Sequence, residues 1–464
     1  MNTKIIAGDK EIVKNELNKA GIPTLTNFLK QTDVAGKTIG MRLELNVAWA
    51  EKDGQLIIKD AGRIEKAWPD LKAAILAGAN IAIMYHVEDK KKILGTSFKD
   101  NALIYDYISN KIAGEIGSHI IVDRVKENKF AGDEAMEKLS LLKQSKINVL
   151  LLQNVRIDDV EREMEKKNKT DLVVQLADIF DVYVDCGTGL MHRNGATNLG
   201  IKLIMKALGK QVVAGDIFVK DTADLQRLIN AFNEDPEHSI AFFAGAKIAN
   251  TYDAKGKLVE AGKITILKSF IELGIKSIAL GGKMVNPFLV AMGKSAGAAP
   301  VSEEEVELAR QIIEAAEKNK VKLLIPTDFA TVHKDELQAV FEGKPVNVKI
   351  EKEISADRFQ VDIGPETAIN YYGLVKSNLY RLWNGPMGVY EHESLATGTN
   401  MMGKAFKDAT TGFGIFGGGD TGDSVKHIID NDTPNTKKLA GGGGPMEFIS
   451  CGGNLPTIEA MKIK

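Results

Sequence analysis

From Lys37 onward, short apolar runs rich in β-branched residues alternate with longer stretches whose apolar positions recur at helical spacing. Residues 38–47, 81–85, 147–152 and 182–185 read as strands, and residues 60–77, 103–116 and 170–179 as helices between them. Strands separated by helix-length crossovers predict a parallel sheet with helices on its faces. The rhythm restarts at 240–243 and continues through strand-like 275–280, 321–326, 379–383 and 413–416, each followed at once by glycine, proline or asparagine. Two sheets fit this pattern better than one. Between them, Leu225, Leu228, Ile229 and Phe232 lie at helical spacing after Asp221 and Thr222, which could cap a joining helix. The expected organisation is an extension over 1–36, a domain over 37–220, a joining helix over 221–235 and a second domain over 236–444. The final stretch, 445–464, is expected to return to the first domain.

At 464 residues the chain suits two domains, and 44% hydrophobic with 26% charged residues is the balance of a globular protein. Sixty basic against 62 acidic side chains leave a net charge of −2, so no overall field draws the molecule to nucleic acid or anionic lipid. Any anion site has to be local. Cys186 and Cys451 form neither a disulfide framework nor a metal-ligand spacing. Without a signal-peptide core or an apolar run of about 18 residues, a cytoplasmic location and no membrane contact are expected.

The strongest local signal is Gly417-Gly418-Gly419-Asp420-Thr421, after the 413–416 strand and ahead of a helix expected over 423–429. Glycines there allow backbone amides to approach a phosphate, and an adjacent Asp can hold magnesium together with phosphate oxygens. The alternative is a tight turn capped by Asp420. Gly412, Gly414 and Gly417 also match a dinucleotide-binding spacing, but they flank a strand instead of opening a helix. The Walker A pattern fails because Gln31 stands where its first glycine belongs. Trp383-Asn384-Gly385-Pro386-Met387-Gly388-Val389-Tyr390-Glu391 reads as a rigid turn closing a strand, its amide and carboxylate suited to a sugar or base edge.

The last two segments resemble the W-N-G-P-x-G-V-F-E and G-G-G-D-T signatures of the phosphoglycerate kinase family. Further landmarks of that family follow in order: Arg42-Leu43-Glu44-Leu45-Asn46-Val47, Arg63-Ile64, Leu152-Gln153-Asn154-Val155-Arg156, residues 183–193, Gly245-Ala246-Lys247, 362–367 and 441–444. The resemblance runs from about Lys37 to the C-terminus. It implies two Rossmann-like α/β domains, 3-phosphoglycerate on the first, magnesium-ATP or magnesium-ADP on the second, closure that joins them, and a monomer. Arg42, Glu44, Asn46, Arg63, His86, Arg156, His192 and Arg193 would hold the anionic acceptor. Gly245, Lys247, Gly282, Asn384, Pro386, Glu391, Gly418, Gly419, Asp420 and Thr421 would hold the nucleotide, Asp420 carrying the metal. Arg63, Lys247 and Gly418 would stabilise the transferring phosphoryl group, a reaction that asks mainly for positioning and charge neutralisation.

Departures from the family pattern cluster at anion-binding positions. Asp89 replaces an arginine, Gly195 a histidine, Thr251 a lysine and Lys283 a glycine. A like-charge pair about 4 Å apart at an effective dielectric near 20 costs roughly 4 kcal/mol, so Asp89 facing a phosphate would weaken binding severely. Lys90, Lys91 or Lys92 could supply the missing charge, and Lys283 could stand in for the lysine absent at Thr251. Three readings follow: a phosphoglycerate kinase, a related kinase with a changed acceptor, or a nucleotide-binding regulatory paralogue.

Overall fold

The computed structural model describes residues 21–87, 101–157, 171–245, 251–252, 258–260, 263–430, 433–439, 441 and 443–462. The chain divides into two compact units, one containing the described residues up to Asp224 together with those from Asn454, the other running from Leu225 to Gly453. The division falls inside one continuous helix, Asp216–Glu234. That helix starts five residues ahead of the expected caps, and Asp221, instead of capping it, lies fully buried in its interior.

In the first unit, β1 (Thr38–Arg42), a hairpin of β2 (Ala48–Lys52) and β3 (Gln55–Asp60), β4 (Asn80–Tyr85), β5 (Val122–Arg124), β6 (Val149–Asn154), β7 (Val182–Asp185) and β8 (Gln211–Ala214) follow in order. Six of them form a wholly parallel sheet, β5-β6-β4-β1-β7-β8. Strands β1, β4, β6 and β7 are buried along their whole length, which is why they read as unbroken apolar runs. The strand expected over 38–47 stops at Arg42, and the motif after it continues as loop before the hairpin. The described part of the expected extension is also structured. Leu25–Gln31 is a helix capped by the Thr24 side chain, Thr24 bridges Ala214 on β8, and Thr26 donates to the Asp216 carboxylate.

The second unit carries β9 (Ser239–Phe243), short antiparallel β10 (Thr251–Tyr252) and β11 (Leu258–Glu260), β12 (Ser277–Leu280) and β13 (Lys322–Leu324). After these come β14 (Phe329–His333), β15 (Lys349–Glu351), β16 (Arg358–Ile363), β17 (Tyr380–Asn384), β18 (Phe413–Gly417) and β19 (Thr436–Leu439). Its main sheet is parallel, in the order β13-β12-β9-β17-β18-β19. Strands β15-β14-β16 form a separate antiparallel sheet that the apolar pattern did not announce. Trp383, Phe406 and Phe416 pack with ring centroids 5.6–6.3 Å apart under the main sheet. The 362–367 motif builds framework. The Asp328 carboxylate accepts from the Glu366 and Thr367 amides at 2.9 and 2.8 Å, satisfying the start of helix Pro365–Ser377. Asp362 accepts from the Ile363 and Gly398 amides at 2.8 and 2.7 Å, and burial pushes its carboxyl up to about 7.

No helix among the described residues is long and apolar enough to cross a membrane. Cys186 is buried, Cys451 exposed, and both are free thiols.

One pair bears heavily on the first unit. Lys202 and Asp185, both essentially without solvent exposure, lie 2.5 Å apart, and Lys202 also donates to the Thr457 carbonyl at 3.0 Å. Removing one partner of a buried pair strands the other charge, so Lys202→Met is expected to lower stability by roughly 3–5 kcal/mol, read from urea unfolding.

Candidate active site

Open parallel sheets bind ligands beyond the carboxyl ends of their strands, where the strand order reverses. In the first unit that point lies between β1 and β7, since the chain leaves β1 towards β4 and later crosses to β7 and β8. Arg42 closes β1 and Asp185 closes β7, in register with one another. Arg42 is buried and donates through Nε to Thr197 Oγ1 and through Nη1 to the Leu43 carbonyl, both at 3.0 Å. Asn154, at the end of β6, holds both the amide and the carbonyl of Val87 with its side chain, and accepts from the Arg156 amide at 3.2 Å. The loops bearing His86 and Arg156 are thereby fixed together.

His86 is the centre of this group. Burial first, and then the fields of Arg42, Arg156, Arg63 and Arg193, hold its imidazole well below the usual histidine range. Four arginines drawn from four separated segments therefore act on one neutral ring, whose Nδ1 is buried without a hydrogen-bond partner. His192 is similar: burial and the neighbouring Arg193 lower it to about 4, and its Nδ1 is also buried and unpartnered. Arg63 and Arg193 are partly exposed and Arg156 is exposed, so positive charge faces outward while the histidines stay uncharged beneath it. Glu44 has both oxygens engaged, one by Arg63 Nη1 at 2.7 Å and the other by the Gly189 amide at 2.9 Å. It holds other groups instead of offering a free carboxylate. Asn46 is half-buried in the loop after β1, and Gly195, where the family pattern has a histidine, is buried.

In the second unit the reversal falls between β9 and β17, where Asn384 pairs with Phe243 on one side and with Gly417 on the other. The loops beyond these strands interlock. Gly282 donates to the Met387 carbonyl and Met284 to the Gly245 carbonyl, both at 3.1 Å. Asn384 Nδ2 donates to the Gly417 carbonyl at 2.9 Å, and Thr421 Oγ1 accepts from the Gly385 amide at 2.8 Å. The asparagine amide and threonine hydroxyl thus brace the turn against the Asn384-Gly385-Pro386 segment, in which Pro386 is half-buried. Gly418 has φ +114°, open to glycine and strained for other residues, and a side chain there would press on Thr421 and Asn384. Gly419 and Asp420 are exposed, with open space where a Gly419 side chain would project. The helix begins at Gly419 and ends at Ser424, earlier than the expected 423–429, so Asp420 stands in its first turn. Burial and then the charges of Glu391, Asp420 and Asp423 raise the Tyr390 phenol to about 12, which places three carboxylates around one ring.

Lys247, Asp89 and Lys90 to Lys92 lie outside the described residues, as does the side chain of Thr251, while Lys283 is exposed beside Gly282. Lys202 and Thr197 were not legible as parts of this region. Asp185 could have been noticed, because a carboxylate closing a buried apolar strand needs a partner, but nothing in the sequence names Lys202 as that partner.

One sheet end carries convergent arginines and the other a glycine turn with an outward carboxylate, which defines a two-unit α/β protein of the phosphotransferase class. The chain belongs to the phosphoglycerate kinase family, whose sequence model matches residues 29–453. It is 28% identical to a phosphoglycerate kinase of Clostridium beijerinckii over 94% of this chain and 99% of that one. It is 29% identical to that of Chlorobaculum tepidum over 93% and 98%. In fold it resembles phosphoglycerate kinases of Coxiella burnetii (TM-score 0.67, 23% identity, covering 95% of this chain and 98% of the other) and Pyrococcus horikoshii (0.69, 21%, 93% and 98%). The chain is therefore an enzyme, a kinase, and the regulatory-paralogue reading is not favoured.

The histidine environment sets a pH dependence. A histidine lowered in the folded state contributes stability that is present above its unfolded pKa and lost as pH falls from about 6.5 towards 4. Between pH 7 and pH 5 the protein is expected to lose about 2 kcal/mol relative to a His192→Gln variant, measured by urea unfolding at both pH values.

Proposed function

We propose that the chain transfers a phosphoryl group reversibly between ATP and the carboxylate of 3-phosphoglycerate, with the acceptor at the arginine-rich end of the first sheet. The convergence of Arg42, Arg63, Arg156 and Arg193 on the neutral His86 is the observation that carries this reading. An acceptor with a phosphate and a carboxylate is doubly anionic at its two ends, and guanidinium forks grip such groups bidentately without losing charge. His86 and His192, held neutral, offer hydrogen bonds to hydroxyl or carboxyl groups instead of further charge, and Asn46 adds an amide.

On the nucleotide side, the turn at Gly417, Gly418 and Gly419 supplies backbone amides, with Gly245 and Gly282 lining the neighbouring loop ends and Glu391 available to a ribose. Among the described residues no group of three or more side chains forms a metal cage, whereas Asp420 is exposed beside those amides. A single carboxylate suits magnesium arriving on phosphate oxygens, and the ion when bound would neutralise charge on those oxygens. In the ATP-forming direction an oxygen of the ADP terminal phosphate bonds to the phosphorus of an acyl phosphate as the bond to the carboxyl oxygen breaks. The carboxylate leaves and no proton is consumed. Arg63, Lys247 and the Gly418 amide would stabilise the charge spread over the moving group. Cytoplasmic residence and action as a monomer belong to the same proposal, the former supported by the two free thiols.

ATP formation from 1,3-bisphosphoglycerate and ADP is expected in a coupled assay, with Lys247→Ala lowering kcat by about 10²–10³-fold. No turnover by the unaltered chain would sink the acceptor assignment. Asp420→Ala is expected to weaken magnesium-ADP binding in calorimetry with the unfolding midpoint unchanged, and equal affinity would remove Asp420 from the metal.

A further inference from the structure

The helix Gly62–Leu76 carries Arg63 and Lys66 three residues apart, hence on one face. Each cation reaches a buried carboxylate: Arg63 lies 2.7 Å from Glu44 Oε1, and Lys66 lies 2.6 Å from Asp221 Oδ2. Both carboxylates then accept from adjacent residues of a single loop, the Gly189 amide reaching Glu44 at 2.9 Å and the Thr188 hydroxyl reaching Asp221 at 2.9 Å. The loop is close-packed here, since a side chain at Gly189 would come within 2.5 Å of the Glu44 carboxylate. His192 and Arg193 follow a few residues later. Lys66 and Asp221 lie in none of the family motifs, and the arrangement is costly. Asp221 has no exposed surface and its second oxygen, Oδ1, has no hydrogen-bond partner. An apolar residue at 221 would avoid that cost, so retaining the carboxylate makes sense if the loop has to be held in one place.

We propose that Lys66, Asp221 and Thr188 are positioning residues for the acceptor. They fasten the loop leading to His192 and Arg193 against the Arg63 helix, so that acceptor affinity depends on a side chain of the Asp216–Glu234 helix. This rests on the acceptor reading above. The full chain and its Thr188→Val, Thr188→Ser, Lys66→Met and Asp221→Asn variants are titrated calorimetrically with 3-phosphoglycerate and, separately, with magnesium-ADP. Thr188→Val removes one hydrogen bond at nearly constant shape and keeps the test open if Asp221→Asn does not fold. Thr188→Val and Lys66→Met are expected to weaken 3-phosphoglycerate binding by about tenfold or more. Magnesium-ADP affinity should hold within about twofold, and Thr188→Ser should restore acceptor binding. No binding of 3-phosphoglycerate to the unaltered chain removes the acceptor reading and this proposal with it. Binding by the unaltered chain with equal affinity in Thr188→Val and Lys66→Met overturns the positioning role alone. Equal weakening of both ligands also overturns it, because a general loss of stability would not single out the acceptor.

Discussion

A lysine ammonium and an aspartate carboxylate, shut away from water at the end of a parallel sheet, hold the arginine-rich unit of this protein together. Neither charge could remain there alone, since burying an unpaired ion costs several kcal/mol. Asp185 closes β7 and turns its other oxygen to the Gly187 amide at 2.8 Å, bending the chain into the loop that leads to His192 and Arg193. Lys202 reaches back to the Thr457 carbonyl, and the Thr457 hydroxyl donates to the Met191 carbonyl. The last helix of the described chain, Pro456–Glu459, is thereby fastened beside a loop from which the whole of the second unit separates it in sequence. Burial lowers the Lys202 ammonium, and the field of Arg42 lowers it further, so the pair also belongs electrostatically to the arginine group.

That group follows one logic throughout. Positive charge is concentrated at the strand ends, and mutual repulsion is limited by anchoring two of the cations inside the fold: Arg42 to Thr197 and the Leu43 carbonyl, Arg63 to Glu44. The histidines among them are kept neutral by burial first and then by the same field, because a further charge on a buried ring would cost twice, in desolvation and in repulsion. The second unit solves the complementary problem with backbone. Asn384 and Thr421 spend their side chains bracing a glycine turn, leaving amides and a single outward carboxylate at Asp420. Amides carry no net charge, so this end of the sheet suits a ligand that brings its own cation.

Much of this was legible in the order of residues. Buried parallel strands declare themselves as unbroken apolar runs, and the strand, helix and glycine-turn sequence around 413–421 leaves little conformational choice. The motifs at Arg42, Arg63, Arg156 and Arg193 name the basic side chains without any geometry. The hairpin Ala48–Lys52 and Gln55–Asp60 and the partners β15 and β16 of the small antiparallel sheet were not legible, because short, partly exposed strands lack the apolar contrast that sets a period. The strand ends at Arg42, short of the expected Val47, because Leu45 and Val47 are buried while their backbone lies outside the sheet, Leu43 still donating to the Met84 carbonyl at 2.9 Å.

The sequence by itself determined two α/β units, the phosphate-type turn at 417–421 and the membership of the basic set. These rest on local rules: apolar period, glycine's conformational range and the fixed charge of arginine. Only the tertiary structure decided which charges are matched and which are poised. Both Glu44 oxygens are engaged, by Arg63 and the Gly189 amide, Asp221 looked like a helix cap and lies buried inside the helix, and Lys202, which no motif singles out, is fully buried. Such roles depend on partners far away along the chain, and a charge's energy is set by the distance and dielectric that folding supplies, neither of which is written in the order of residues.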